Sequence, residues 1–581
     1  MKGRGSVRNP KTVYPQVLPK LEDWPIYKLS EDRKKFIEEI DMHVLRRLTS
    51  QSAEQVEDML TRAIYQERIR VKEEPWKVDP PNEKQFWRRI RKQLIRRSLD
   101  QPREDAIRSN AEILQKIVHR YSEEIVGTFR IKTFLFARRF LTFFFNRLLQ
   151  AKQRGFFRAR GARKRLYEKL IVRGEVEKLR SLFEKGTVVV VPTHFSNLDS
   201  ILIGYALDAV VGLPSFSYGA GLNLYNTGYT AYFMNRLGAY RVDRRKKNAI
   251  YLETLKGMST LSIKRGTNSL FFPGGTRSRS GQLENKLKMG LLGTVIEAQR
   301  ALYQEGKDEK IFVVPLVLGY HFVLEAPFLI EQHLKRMGKE RYIRAKDDFF
   351  SPTRILRYAW KVLSEGNDIT LSFGQPLDVM GNIVDEEGNS YDKYGNPIQV
   401  REYFESDGAV TQNLQRENEY TRQLADAIVK RYHEDNIVLS SHLVAFAAFN
   451  ILKKDNPKLD LYGVMRLPTD EYVFPLETLR KTLEQLQEAL LAMADSGKIK
   501  LSDQVYGETD ALIQHGISRL GTFHLKKPLR FTKKGEVVSD SFHLLYYYHN
   551  RLENYGLDKM IAWKEIPLDL SVKEQETVAE K

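Results

Sequence analysis

The run Val188-Val189-Val190-Val191-Pro192-Thr193-His194-Phe195-Ser196-Asn197-Leu198-Asp199 carries a histidine and an aspartate in His-x4-Asp spacing. An apolar, β-branched stretch of this kind reads as a buried strand running into a turn. On one straight helix, residues five apart point about 140° away from each other. Pairing therefore requires His194 in the turn ahead of a helix and Asp199 inside it. In that geometry the carboxylate holds one ring nitrogen and fixes the tautomer, and the other nitrogen can take a proton from a hydroxyl. Alone, the spacing is unspecific, because a histidine capping a helix looks the same.

Three further segments carry matching chemistry. Phe271-Phe272-Pro273-Gly274-Gly275-Thr276-Arg277-Ser278-Arg279-Ser280-Gly281 reads as a second strand ending in a glycine-rich turn. Glycines let backbone N–H groups approach a phosphate, and Arg277 and Arg279 can grip it bidentately. Lys286 and Lys288 follow. Gly238-Ala239-Tyr240-Arg241-Val242-Asp243-Arg244-Arg245 places more cations near a turn, and Val313-Val314-Pro315-Leu316 reads as another buried strand.

In order and combination these segments resemble the glycerolipid acyltransferase superfamily. Its four blocks are His-x4-Asp, Gly-x-x-x-(Ile/Val)-(Asp/Arg)-Arg, Phe-Pro-Glu-Gly-Thr-Arg-Ser and a Val-Pro strand, here spanning His194 to Pro315. Ala220-Gly221-Leu222-Asn223-Leu224, Asn248, Tyr251 and Lys288-Met289-Gly290 are similar to features of the glycerol-3-phosphate and dihydroxyacetone-phosphate branch. The tail Leu544-Leu545-Tyr546-Tyr547-Tyr548-His549-Asn550 is a less specific match. The resemblance implies that His194 is the general base and Asp199 its orienting partner. It implies phosphate binding by Arg244, Gly275, Arg277, Ser278 and Lys288, with Asn223, Arg279 and Pro315 in support. The family's chemistry uses no metal and no cofactor; the co-substrate is an acyl-CoA or acyl carrier protein thioester. The implied reaction is acyl transfer to the sn-1 hydroxyl of glycerol-3-phosphate, the first step of phospholipid synthesis. Dihydroxyacetone phosphate and 1-acylglycerol-3-phosphate are the alternative acceptors.

Three positions depart from the family pattern. Gly274 stands where the third block has Glu, Phe195 where the glycerol-phosphate branch often has Arg, and Asp243 where many such enzymes have a first Arg.

Composition frames what must position these residues. The chain has 581 residues, enough for two or three domains, with 42% hydrophobic and 29% charged residues. A formal net charge of +20 attracts anions: nucleic acid, anionic lipid or phosphorylated substrates. Charge does not choose among them, and a non-catalytic basic membrane- or nucleic-acid-binding protein is the reading from another class. The ordered blocks favour a phosphorylated substrate and an anionic membrane surface, with no nucleic acid expected. No cysteine is present, which excludes disulfides and thiol nucleophiles.

The expected fold is an α/β acyltransferase core, a mixed sheet flanked by helices, between an N-terminal helical region and a mostly helical C-terminal region. Residues 1–125 read as helical, with Ser52 and Gln55 forming a capping box. Residues 126–180 alternate Phe134, Phe136, Phe140, Phe143, Phe144 and Phe145 with Lys132, Arg138, Arg139 and Arg147, followed by Phe156, Phe157, Arg158, Arg160, Arg163, Lys164 and Arg165. That pattern suits a helix in a lipid headgroup layer. It equally suits a helix docked on its own domain with a basic outer face. The acyltransferase domain is expected over 181–435 and the C-terminal domain over 436–581. Strands are expected at Thr187–Val191, Ser269–Phe272, Ile311–Val317 and Ile369–Phe373, with a surface hairpin or loop insertion over 376–400 and no internal repeat. Met1 to Pro10 is polar and basic and no stretch reads as a transmembrane helix, so contact with the cytoplasmic face of a membrane is expected to be peripheral.

Overall fold

Uninterrupted valine and isoleucine runs need cover on both faces, which a parallel sheet with flanking helices provides. The computed structural model of the chain describes residues 13–97, 103–150, 170–225, 228–337 and 368–566. Within them the strands β1 (Leu170–Gly174), β2 (Gly186–Pro192), β3 (Ser217–Gly221), β4 (Ala239–Val242), β5 (Ser269–Leu270), β6 (Lys310–Tyr320) and β7 (Ile369–Phe373) form one sheet. Its order is β1-β7-β6-β2-β5-β3-β4. Strand β7 runs antiparallel to β6, and the pairings of β2, β3, β4, β5 and β6 with one another are parallel. The sheet is thus mixed, as expected. The short strands β1, β3 and β4 lack a clear apolar run and escape sequence reading.

Pro315 sits inside β6, opposite Val191. A proline interrupts a ladder because it has no N–H to donate. The N–H of Val313 points toward Leu377, so the nitrogen of Pro315 faces the same side. There β7 has already ended at Phe373, which pairs with Leu316, so the missing donor falls where no ladder bond is required.

Helices Val176–Lys185, Ala249–Lys264 and Met289–Gln304 cover the sheet. The N-terminal helices Arg33–Thr49, Ala53–Glu73, Glu83–Arg97 and Arg103–Ile125 build a separate apolar cluster with Tyr240, Ile250, Tyr251 and Met258. The capping box at Ser52 and Gln55 is present. The C-terminal helices instead share one continuous apolar core with the sheet. There the run Leu439 to Leu452 forms helix Ser440–Asp455, buried throughout its first three turns. Helix Leu476–Asp495 is capped by Pro475 and buries Leu479, Leu483, Leu486 and Leu490.

The segment after β7 corrects one expectation, because it is a repeat. Asp378-x-x-Gly381-Asn382, Asp385-x-x-Gly388-Asn389 and Asp392-x-x-Gly395-Asn396 form three successive turns. In each, the Asp side chain accepts the Asn main-chain N–H, and the glycine takes a positive φ. The turns link a three-stranded antiparallel sheet of two-residue strands at Ile383–Val384, Ser390–Tyr391 and Pro397–Ile398.

Helix Ile131–Gln150 is docked through Phe134 and through Arg138, which is bidentate to buried Asp208. Phe136 (57% exposed), Phe140 and Phe143 (66%) face outward, and Phe136 stacks on Phe233. The aromatics and cations named at 156–165, and the side chains of Phe144, Phe145 and Arg147, lie outside the described residues. Among the described residues, no helix is long and apolar enough to cross a membrane.

Candidate active site

Strand β2 ends at Pro192, and the chain turns before helix Asp199–Ala206 begins. His194 lies in that turn and Asp199 is the first residue of the helix. His194 Nδ1 is 2.8 Å from Asp199 Oδ2. The same oxygen accepts the main-chain N–H of Phe195 (2.7 Å) and Ser196 (2.9 Å). Asp199 Oδ1 accepts the hydroxyl of Tyr320 at 2.5 Å, at the end of β6. A fully buried carboxylate with donors on both oxygens, at a helix N-terminus, is held as an acceptor. The Nδ1 of His194 must therefore be the donor, which in the neutral imidazole leaves Nε2 with its lone pair. The His194 side chain is 16% exposed and its ring lies on Phe272 at 4.1 Å between centroids.

The third-block turn is bonded directly to this histidine: the Ser278 N–H donates to His194 O at 2.7 Å. The Ser278 hydroxyl is used within the turn, donating to Gln282 O. Gly275 has φ +75°, and a side chain there would strike Lys288, whose ammonium lies across it. Lys288 is also tied to the turn by its N–H to Pro273 O. Arg277 pairs with Glu325 (3.4 Å) and Arg279 donates to Gln332 (3.1 Å).

Arg244 arrives from the second block. Although the residue is exposed overall, loss of water around its guanidinium and then the charge of Arg277 lower its pKa. Arg279 is lowered likewise, by burial and then by Arg336, Arg277 and Arg244. The charge of Arg277 contributes to both shifts, as expected where guanidinium groups are gathered, an arrangement suited to a multivalent anion. Asp243 is buried beside them and accepts from Arg245, which also pairs with Asp79. Pro315 lies in the sheet below the site. Asn223 falls in the turn Leu222–Tyr225 after β3, and its side chain lies outside the described residues.

Sequence reasoning missed three carboxylate-linked groups that complete the site. Glu325, buried ahead of helix Ala326–Arg336, accepts the Asn197 N–H (3.0 Å) and the Ser196 hydroxyl (3.2 Å) while pairing with Arg277. It thereby ties the histidine turn to the arginine turn. Tyr320 orients Asp199, and its one signal is a hydroxyl at the end of a buried strand. Glu284 accepts the His194 N–H at 3.0 Å. Behind Phe195, the fully buried Arg551 stacks on that ring at 4.4 Å and donates to Leu318 O (2.7 Å). A separate cleft of about 640 Å³, lined by Arg33, Arg120, Arg130, Arg236 and Arg241 among others, opens beside β4 and contains none of the His194 or third-block residues. Among the described residues, no group of three metal-binding side chains clusters.

Comparison with known proteins finds a domain and named relatives. The Acyltransferase family model matches residues 173–319. A glycerol-3-phosphate acyltransferase of Aeromonas hydrophila is 29% identical over 49% of this chain and 31% of its own length. Proteins of the same name from Pseudoalteromonas atlantica and Pseudomonas aeruginosa are each 27% identical, over 36% and 41% of this chain and 24% and 25% of their own lengths. The matches thus span about a quarter to a third of those relatives' length. Residues 173–319 thus carry an Acyltransferase domain, and the chain is similar over part of its length to proteins named glycerol-3-phosphate acyltransferase.

Proposed function

We propose that this protein transfers a fatty acyl group from acyl-CoA or an acyl carrier protein to the sn-1 hydroxyl of glycerol-3-phosphate. The observation that carries the reading is a histidine whose imidazole is steered by Asp199 and whose main-chain carbonyl accepts the Ser278 N–H of an arginine-bearing turn.

The acceptor phosphate sits among Arg244, Arg277 and Arg279, with Lys288 at the turn. Fixing the phosphate brings the sn-1 hydroxyl to His194, and proximity supplies much of the rate. Nε2 takes the hydroxyl proton as that oxygen attacks the thioester carbonyl carbon. The tetrahedral oxyanion then collapses, the C–S bond breaks, and the departing thiolate recovers the proton from Nε2. No enzyme nucleophile is required, because the thioester is already activated. The oxyanion needs a preorganised donor. The N–H groups of Gly275 and Ser278 are committed to Phe272 O and His194 O, so neither fills that role.

The outward Phe136, Phe140 and Phe143, flanked by exposed Lys132 and Arg139, suit peripheral contact with an anionic, cytoplasmic membrane surface. Docking through Arg138 and Phe134 would hold that face fixed relative to the site.

The test offers labelled glycerol-3-phosphate, dihydroxyacetone phosphate and lysophosphatidate to the purified protein with an acyl thioester. Glycerol-3-phosphate is the expected acceptor. His194→Ala should lower the rate about 10³-fold with unchanged melting. Absence of transfer to any acceptor, or full activity in His194→Ala, overturns the reading.

A further inference from the structure

Every handle on His194 is held by something: the ring by Asp199 and Phe272, the carbonyl by Ser278, and the main-chain N–H by Glu284. Glu284 is the unexpected member. It lies in the loop between the third-block turn and helix Met289–Gln304. Its Oε2 is closed off from solvent and has no hydrogen-bond partner. A carboxyl oxygen left unpaired away from water is unfavourable, so this is a poor place for a glutamate unless its other oxygen has a task.

The loop is pinned where it stands. Lys288 N–H bonds Pro273 O at 2.8 Å, and Asn285 Oδ1 meets His433 Nε2 and Asn554 Nδ2. Pinning brings Glu284 against Gly274. A Cβ added to Gly274 would stand 3.0 Å from Glu284 Cγ and 3.2 Å from its Oε1. Gly274 does not occupy the left-handed region, unlike Gly275 beside it. The backbone therefore does not demand glycine at 274; the Glu284 side chain crowds the space that a Cβ there would take. Gly274 and Glu284 together occupy the volume of one acidic side chain on the third-block turn.

We propose that Glu284 is a positioning residue that supplies, from the adjacent loop, the carboxylate a Phe-Pro-Glu-Gly sequence would carry at position 274, and that it fixes the catalytic turn by holding the His194 N–H. Departure of the motif at Gly274 is then a relocation and not a loss. The inference rests on the acyltransfer reading for its kinetic part only.

The test is a swap on the full-length protein: Glu284→Ala, Glu284→Gln, Gly274→Glu, and the double Gly274→Glu/Glu284→Ala. Glu284→Ala should lower kcat about 30-fold with KM within about threefold of wild type, since a loosened base misplaces the chemistry and not the phosphate. Glu284→Gln should stay within about threefold, because its amide oxygen still accepts from His194 N–H. Gly274→Glu alone should fall at least as far as Glu284→Ala, and the double should recover to within about tenfold of wild type. Wild-type kcat in Glu284→Ala, or a folded double no better than its parents, overturns the proposal. Should the wild type transfer no acyl group at all, melting temperatures of the same four variants decide. Two single losses that largely cancel in the double support the shared volume; additive losses overturn it.

Discussion

The N-terminal and C-terminal regions brace opposite sides of the site by different physics. On the N-terminal side, Arg70 joins Glu67 (2.7 Å), Asp79 (3.1 Å) and Glu83. Asp79 passes the network to Arg245, Arg245 to Asp243 (2.8 Å), and Glu124 holds Lys246. Asn248 caps helix Ala249–Lys264 and donates to Glu67 and to Tyr121. Arg244 is thus flanked on both sides by residues fixed in buried ion pairs. On the C-terminal side, helices Ser440–Asp455, Leu476–Asp495 and Phe542–His549 extend the apolar core of the sheet, and Arg551, in the turn Asn550–Tyr555 that follows, stacks on Phe195 of the histidine turn. Buried ion pairs define geometry more than they add stability, whereas apolar burial stabilises without specifying where a guanidinium points. Arg244 is therefore placed by charge, and His194 is backed by packing.

Breaking the ionic brace should have the largest effect. Arg70→Ala strands Glu67, Asp79 and Glu83 without their common cation, a change worth about 3–5 kcal/mol. Chemical denaturation should show that loss. Among the molecules still folded, KM for the phosphorylated acceptor should rise several-fold while kcat changes little. An unchanged KM would mean that the network is scaffold only and that Arg244 is held by other means.

Leu486→Ala attacks the other side. Leu486 is fully buried in helix Leu476–Asp495, and its truncation should cost about 2–4 kcal/mol. Below the melting transition both kcat and KM should match wild type, and the loss should not depend on salt. A KM effect as large as that of Arg70→Ala would erase the distinction between the two regions.

What the sequence makes legible follows from range. His194 and Asp199 are a local strand–turn–helix arrangement, and the strands β2, β6 and β7 are apolar runs whose type local pattern decides. The turn glycines and arginines likewise sit in one short segment. Tyr320, Glu325 and Glu284 reach the histidine turn from 121, 128 and 90 positions away, and no periodicity marks them. Strands β3 and β4 are short and partly polar because they pair near the sheet edge, where burial no longer writes a pattern. The Asp-x-x-Gly-Asn repeat was present in the residues but reads as generic loop chemistry until its turns are seen to stack. Asn248 and Tyr251, similar to a branch feature, turn out to belong to the junction with the N-terminal helices, with the Tyr251 hydroxyl accepting the Asp243 N–H at 2.7 Å.

The smallest effect concerns the charge of Glu284, where the two sides come nearest to sharing a mechanism. Burial pushes its carboxyl up to about 7; the His194 N–H and Arg551 pull it down and Asp199 pushes it further up. Tyr432 is the other titratable neighbour. The folded protein thus prefers the neutral acid. Its stabilising contribution is complete below the ordinary value of 4.5 and is lost as pH rises through about 7. At about 1.4 kcal/mol per unit, the rise from 4.5 to about 7 is worth roughly 3–4 kcal/mol, of which roughly 2–3 kcal/mol is lost between pH 5 and pH 8. Glu284→Gln cannot titrate, so it should match wild-type stability near pH 5 and exceed it by about that amount at pH 8. Other buried acids, Glu325 among them, are common to both proteins and cancel in the difference. A stability difference that stays flat between those pH values would show that Glu284 keeps its charge when folded, and that the C-terminal side, with Arg551, braces the base ionically after all.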